Sequence, residues 1–299
     1  MTTKPIGVLP VFSLLLGALF WGVVWYPLRL LEDQGLSGPW SALIIYGAAV
    51  LVGLAVLALR RSSPRPTAGL VLLAVASGWC NVSFIVAMLE GNVVRVLLLF
   101  YLAPLWTVLL ARLMLGEVLS KSAGLTMALA FTGAMVMLWD PATGLPLPSG
   151  AADWLALSSG IAFALSNVTV RWLHEVPVWD KCVVGWLGVV LVAGAWLLVG
   201  GMAPPQAAGA VAGAVALGVF GMVFMTFAVI YGMTQMPAHR AAVILLFELV
   251  IGAASAQWLT DEHVRLNEWA GGALILVAAW IVARDQFVDV GDGRVIHPS

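Results

Sequence analysis

The sequence predicts an all-α integral membrane protein: ten transmembrane helices, built as two inverted five-helix repeats around a central cavity. Three observations carry this. Hydrophobic residues make up 62% of the chain and charged residues only 10%, against roughly a quarter charged in soluble domains. Apolar runs of about 20 residues, the length that crosses a bilayer, recur with almost no gap. The chain also repeats itself. RVLLLFYLAPLWTVLLARLMLGE at 95–117 returns 145 residues later as RAAVILLFELVIGAASAQWLTDE at 240–262, pairing Arg95 with Arg240, Ala103 with Glu248 and Glu117 with Glu262. At an offset of 142, GALFWGVVWYPLRLL aligns with SGIAFALSNVTVRWL, pairing Trp21 with Phe163 and Arg29 with Arg171.

In chain order the predicted spans are 8–31, 39–59, 68–89, 93–115, 122–138, 153–173, 182–200, 207–233, 238–259 and 267–283. Span 1 holds Trp21, Trp25, Tyr26 and Pro27. Span 2 opens on Pro39, at a favoured first helical position. Span 3 carries Trp79, Cys80, Asn81 and Ser83, and span 4 carries Pro104 near its middle. The stretch DPATGLPLPSG after Trp139 is loop, rich in proline and glycine. Span 6 holds Phe163 and Asn167, span 9 holds Glu248, and the tail beyond span 10 is polar. This gives a first repeat at 8–139, a linker at 140–152, a second repeat at 153–285 and a tail at 286–299.

Basic residues set the orientation. With the N-terminus inside, Lys4, Arg60, Arg61, Arg65, Arg112, Lys121, Arg171, Lys181, Arg240, Arg284 and Arg294 all lie on the inner side. Only Arg29, Arg95 and Arg265 lie outside. The bias places both termini in the cytoplasm. Five spans per repeat is an odd number, so the second repeat is upside down relative to the first, a recurring architecture of secondary transporters. The first span has no short apolar core followed by a small-residue cleavage site, and reads as a retained helix.

Composition excludes several function classes. A net charge of −1 argues against nucleic acid as a partner. Cys80 and Cys182 lack metal or disulfide spacing and read as buried thiols. No GxxxxGK[ST], HExxH or GxSxG occurs, so neither nucleotide hydrolysis nor zinc or serine hydrolase chemistry is signalled, and no cofactor is expected. The chain therefore reads as a carrier rather than an enzyme or an assembly subunit. Its partners are the lipid bilayer and a small-molecule substrate, and ten spans enclose a cavity as a monomer.

Three stretches carry a family resemblance. LLLGALFWGVVWYPLR, FYLAPLWTVLLARLMLGEVLS and ADWLALSSGIAFALSNVTVRWL resemble the first helix, the proline-and-LGE helix and the second-repeat start of the EamA-type members of the drug/metabolite transporter superfamily. The resemblance covers residues 8–283. The sequence departs from it where Glu248 is followed by Leu249 in place of a Glu-Pro pair, and where LTDE replaces the second LGE. The aromatic pattern is similar to that of the group exporting aromatic and other neutral amino acids. That likeness implies a cavity tryptophan at Trp21 and a symmetric aromatic at Phe163. Ala103 stands where the group carries a third aromatic, which implies a roomier pocket. It also implies a bacterial inner-membrane location and amino acids as substrate. A hydrophobic cationic drug is the alternative cargo, and a pore-like facilitator the alternative mechanism.

Glu248 is the sharpest site residue, because a carboxylate mid-membrane costs several kcal/mol unless it faces water or a partner. It suits a proton or a substrate amine; the structural alternative is a hydrogen bond to a helix offering Asn81 or Thr226. Asn81 and Asn167 suit a zwitterion's amine and carboxylate, or tie helices together. Trp21, Trp79, Tyr101, Phe163 and Tyr231 offer flat faces for a ring or an ammonium, though most tryptophans here are packing or interface anchors. Of these, Trp21, Trp79, Asn81, Tyr101, Phe163, Asn167 and Glu248 form the expected substrate site. Pro104 is the expected kink, because it lacks a backbone donor and frees a carbonyl. His239 and Arg240 border the membrane where either could meet a substrate carboxylate. An anionic substrate would want a deep Lys or Arg, and no span holds one.

Overall fold

The computed structural model describes residues 8–61, 65–90, 93–117, 121–139, 148, 150–259 and 266–291. Most of the 140–152 linker, the residues 260–262 that end the second copy, and the tail beyond 291 lie outside them. The described secondary structure is entirely helical. In chain order the helices are α1 (Val8–Val23), α2 (Trp25–Asp33), α3 (Gly38–Leu59), α4 (Ala68–Glu90), α5 (Val93–Phe100), α6 (Ala103–Leu115) and α7 (Lys121–Leu138). They continue as α8 (Ala151–Trp172), α9 (Val178–Gly200), α10 (Ala208–Ala216), a π-helical turn (Leu217–Met222), α11 (Val223–Gln235), α12 (Ala238–Leu245), α13 (Phe247–Leu259) and α14 (Leu266–Gly291).

Among the described residues, six stretches are long and apolar enough to cross a membrane: Val8–Asp33, Gly38–Leu59, Ala68–Met88, Val178–Gly200, Ala208–Gln235 and Ala238–Leu259. Shorter apolar helices lie at Ala103–Leu115, Ala123–Val136 and Trp269–Ala278. α8 is 22 residues long but carries Ser158, Ser159, Ser166, Asn167 and Thr169, and falls outside both sets. Large apolar side chains such as Leu51, Leu113, Leu198 and Phe220 are exposed, as expected where the solvent is lipid rather than water.

Four expected spans are interrupted among the described residues, and three of the interruptions have a local cause. Pro27 has no N–H for the carbonyl of Val23, and the helix resets at Val24 between α1 and α2. Pro104 likewise cannot bond the carbonyl of Phe100. The chain tightens there, with Leu102 N donating to Leu99 O at 3.4 Å and Leu105 N to Leu102 O at 3.0 Å, and Pro104 then sits in the first turn of α6. Glycine-rich LGVFGM supplies the π turn. The second copy breaks too, although no proline stands there. α12 ends at Leu245, α13 begins at Phe247, and Leu249 N donates three residues back to Leu246 O at 3.1 Å. At the 145-residue offset Tyr101 maps on Leu246, so the two breaks occupy equivalent places.

Packing crosses between the two halves of the chain. α4 lies against α8 and α9, α3 against α9, α6 against α8, α1 against α11 and α13, and α7 against α14. At the α1–α13 contact a side chain on Gly22 would lie 2.7 Å from the carbonyl of Glu248. Only a residue without Cβ permits that approach.

Candidate functional site

The two helix breaks meet. Tyr101, at the end of α5, donates its hydroxyl to Oε1 of Glu248 at 2.7 Å, and Glu248 stands in the first turn of α13. A helix N-terminus is favourable for a carboxylate, and the break creates one in the interior of the bundle. Glu248 is therefore held by a phenol from the other half of the chain, not by Asn81 or Thr226. Both residues belong to the expected substrate site, and their pairing is seen only in the packed helices.

Aromatic rings flank this pair. Phe100 contacts Tyr101 at 5.3 Å between centroids, Phe163 at 5.4 Å and Phe84 at 4.6 Å. The structure thus brings Phe163 beside Tyr101 through Phe100, a residue the sequence did not single out. Its signal was available: Phe100 is the residue whose carbonyl Pro104 leaves without a donor. That carbonyl points at α8, where a Cβ on Gly160 would lie 2.6 Å from it.

The remaining residues divide. Trp21 is half-buried on α1 beside Gly22 and stacks edge-on against Phe20 at 6.0 Å. Trp79 is 38% exposed, donates to Ser158 Oγ at 3.1 Å and lies against Trp196, so it bridges α4, α8 and α9. Asn81 accepts from the Tyr46 hydroxyl at 2.6 Å and donates to Ser77 O at 2.9 Å; both ends of its amide are engaged. Asn167 is 6% exposed and its Nδ2 has no hydrogen-bond partner. Gly160, Phe163, Asn167 and Arg171 follow at helical spacing along one face of α8, so this unspent donor sits one turn from Phe163. Tyr231 is half-buried on α11. Among the described residues, no three His, Cys, Asp or Glu side chains gather as a metal-binding group.

At one end of the bundle Lys181 is fully buried in the first turn of α9, which begins at Val178 and so draws in a residue expected to precede the span. Its ammonium donates to Thr234 Oγ1 at 2.6 Å and to Leu173 O at 3.2 Å, closing the C-terminal end of α8 as a cation should. A depression of about 630 Å³ lies between the 34–37 turn and the 202–207 loop, with Trp40 in its wall; neither Tyr101 nor Glu248 lines it.

The model of the EamA-like transporter family matches the chain twice, at residues 8–139 and 150–284. The chain belongs to that family. It is a multi-pass membrane protein with two EamA repeats, a carrier architecture for small molecules. No curated protein matches the chain. Among 29 matching solved chains, a crystal structure described only as that of a protein is 17% identical. It covers 92% of this chain and 96% of its own, with a TM-score of 0.74. At that identity the likeness bears on the EamA fold alone.

Proposed function

We propose that this EamA-family protein exports amino acids, aromatic and other neutral ones, by alternating access between two inverted five-helix halves. In this reading all ten expected spans cross the inner membrane of a bacterial cell, with both termini cytoplasmic and a polar tail from residue 286. The halves are 8–139 and 153–285, and a monomer suffices. The packing pattern supports the twofold relation. Exchanging the halves carries the α4–α8 contact onto α1–α11 and α6–α8 onto α1–α13, while α3–α9 and α7–α14 map on themselves.

The observation that carries the substrate reading is the Tyr101–Glu248 pair between two broken helices, beside Phe100 and Phe163. A carboxylate and aromatic faces receive an ammonium, and the unspent Nδ2 of Asn167 is a donor for a carboxylate. Trp21, Trp79 and Tyr101 complete the proposed substrate region, with Asn81 as a strut in its wall, and Pro104 fixes the break. The test is flux in proteoliposomes with labelled neutral amino acids and one lipophilic cation. Saturable amino-acid flux, weakened by Trp21→Ala and Phe163→Ala, supports the reading. Flux of the cation alone makes this a drug exporter centred on Glu248.

A further inference from the structure

At one end of the bundle a clasp joins the two repeats. Glu117, the acid of LGE at the end of α6, faces three groups of the second half. Arg171 Nε lies 3.8 Å from its Oε1, His239 Nδ1 lies 3.6 Å from Oε2, and the Ala238 N–H donates to Oε2 at 3.3 Å. Directly beneath, Ala111 of α6, Val168 of α8 and Ala238 of α12 form their own buried apolar cluster, at 2%, 0% and 3% exposure. Small side chains at two of the three positions let the backbones approach closely.

The bonds on either side of this clasp differ in kind. Within the second half the 234–238 turn is gripped tightly: Arg171 Nη1 donates to Thr234 O at 2.8 Å, and Lys181 Nζ to Thr234 Oγ1 at 2.6 Å. These join α8, α9 and α11 into one block. The contacts that cross to the first half are all longer, and two of the three are attractions between groups beyond hydrogen-bonding reach. His239 Nδ1 is buried with Glu117 as its nearest charge and no hydrogen bond of its own. Among the described residues, the polar contacts between the repeats are the weaker joint at this end. Charge that is only partly desolvated makes a weak joint, one that biases a two-state equilibrium without locking it.

We propose that Glu117, with Arg171 and His239, is the gate latch of this end: it holds the Ala111–Val168–Ala238 plug shut and parts when the halves rock open. The latch rests on the alternating-access reading. Its readout is accessibility rather than flux, so absence of amino-acid transport leaves its test intact.

The test uses the full chain with Cys80→Ala and Cys182→Ala, carrying Ala111→Cys in the plug, in vesicles probed from each face with a membrane-impermeant maleimide. A Lys121→Cys version marks the face on which Glu117 lies. The expected result is slow labelling of Ala111→Cys, raised about three- to tenfold by Glu117→Gln or Arg171→Gln, the factor a 1 kcal/mol bias allows. The rise appears from the Lys121 face alone, and the double variant labels no faster than either single one. A second readout is oxidative cross-linking of Ala111→Cys to Ala238→Cys, high in the parent and reduced by Glu117→Gln. Labelling and cross-linking unmoved by both substitutions, no cross-link in the parent, or labelling from both faces at once would each overturn the latch.

Discussion

Tyr101 and Glu248 are 147 residues apart in sequence and 2.7 Å apart in space. Each sits at the break of its own interrupted helix, so one hydrogen bond ties together the two places where the bundle's backbone is least regular. A buried hydrogen bond is worth about 0.5–1.5 kcal/mol, and about 1.5–3 kcal/mol where the acceptor is ionised. Tyr101→Phe and Glu248→Leu should each lower unfolding stability in detergent. In a double-mutant cycle the coupling should be about 1–3 kcal/mol. A coupling near zero would mean the pair is incidental.

Glu248→Gln keeps shape and an acceptor while removing the titrating group. The expected outcome is amino-acid flux that no longer varies with pH, with substrate binding retained in equilibrium dialysis. Intact transport with the parent's pH profile would take Glu248 out of the mechanism.

The two asparagines should behave oppositely. Asn81→Leu leaves the Tyr46 hydroxyl without its acceptor and should cost about 1–3 kcal/mol of stability. Asn167→Leu removes an amide nitrogen that has no partner, so stability should hold or rise. Thermal unfolding and substrate binding measured side by side check this, and the binding loss should fall on Asn167→Leu.

Gly160→Ala places a methyl 2.6 Å from the carbonyl of Phe100. Backbone, not a flexible side-chain tip, must give way, and overpacking of this kind costs about 1–3 kcal/mol. The midpoint of thermal unfolding should fall, and flux with it, because the shift moves the break that carries Tyr101.

Ser255 accepts from Trp25 Nε1 at 3.0 Å, and its own hydroxyl reaches Gly22 O at 3.0 Å or Gly252 O at 2.9 Å. Ser255→Ala strands the indole N–H and should cost about 1–3 kcal/mol. Trp25→Phe removes that donor and leaves the hydroxyl bonded. The unfolding comparison should rank Ser255→Ala as the more damaging.

Much of the fold was legible because its signals are local. Apolar length, Pro27, Pro104 and the recurrence of the 95–117 segment 145 residues on are properties of neighbouring residues. They located the helices and the break in span 4. The break in span 9 was not legible, because no proline marks it. Asn81 and Asn167 looked alike in sequence, yet one is a strut and the other holds an unspent donor. Lys181 counted as a loop residue and is fully buried.

Read alone, the residues establish a two-repeat membrane protein of the EamA family, most of its helices, and Asn81, Asn167 and Glu248 as polar groups within them. Packing alone settles which side chains meet: Tyr101 with Glu248, Phe100 with Phe163, Glu117 with Arg171 and His239. The physical reason is that the outer face of each helix is as apolar as its inner one when the solvent is lipid. No periodicity then marks the side turned inward, and partners more than 50 residues apart, such as Glu117 and Arg171, are fixed by how the helices pack.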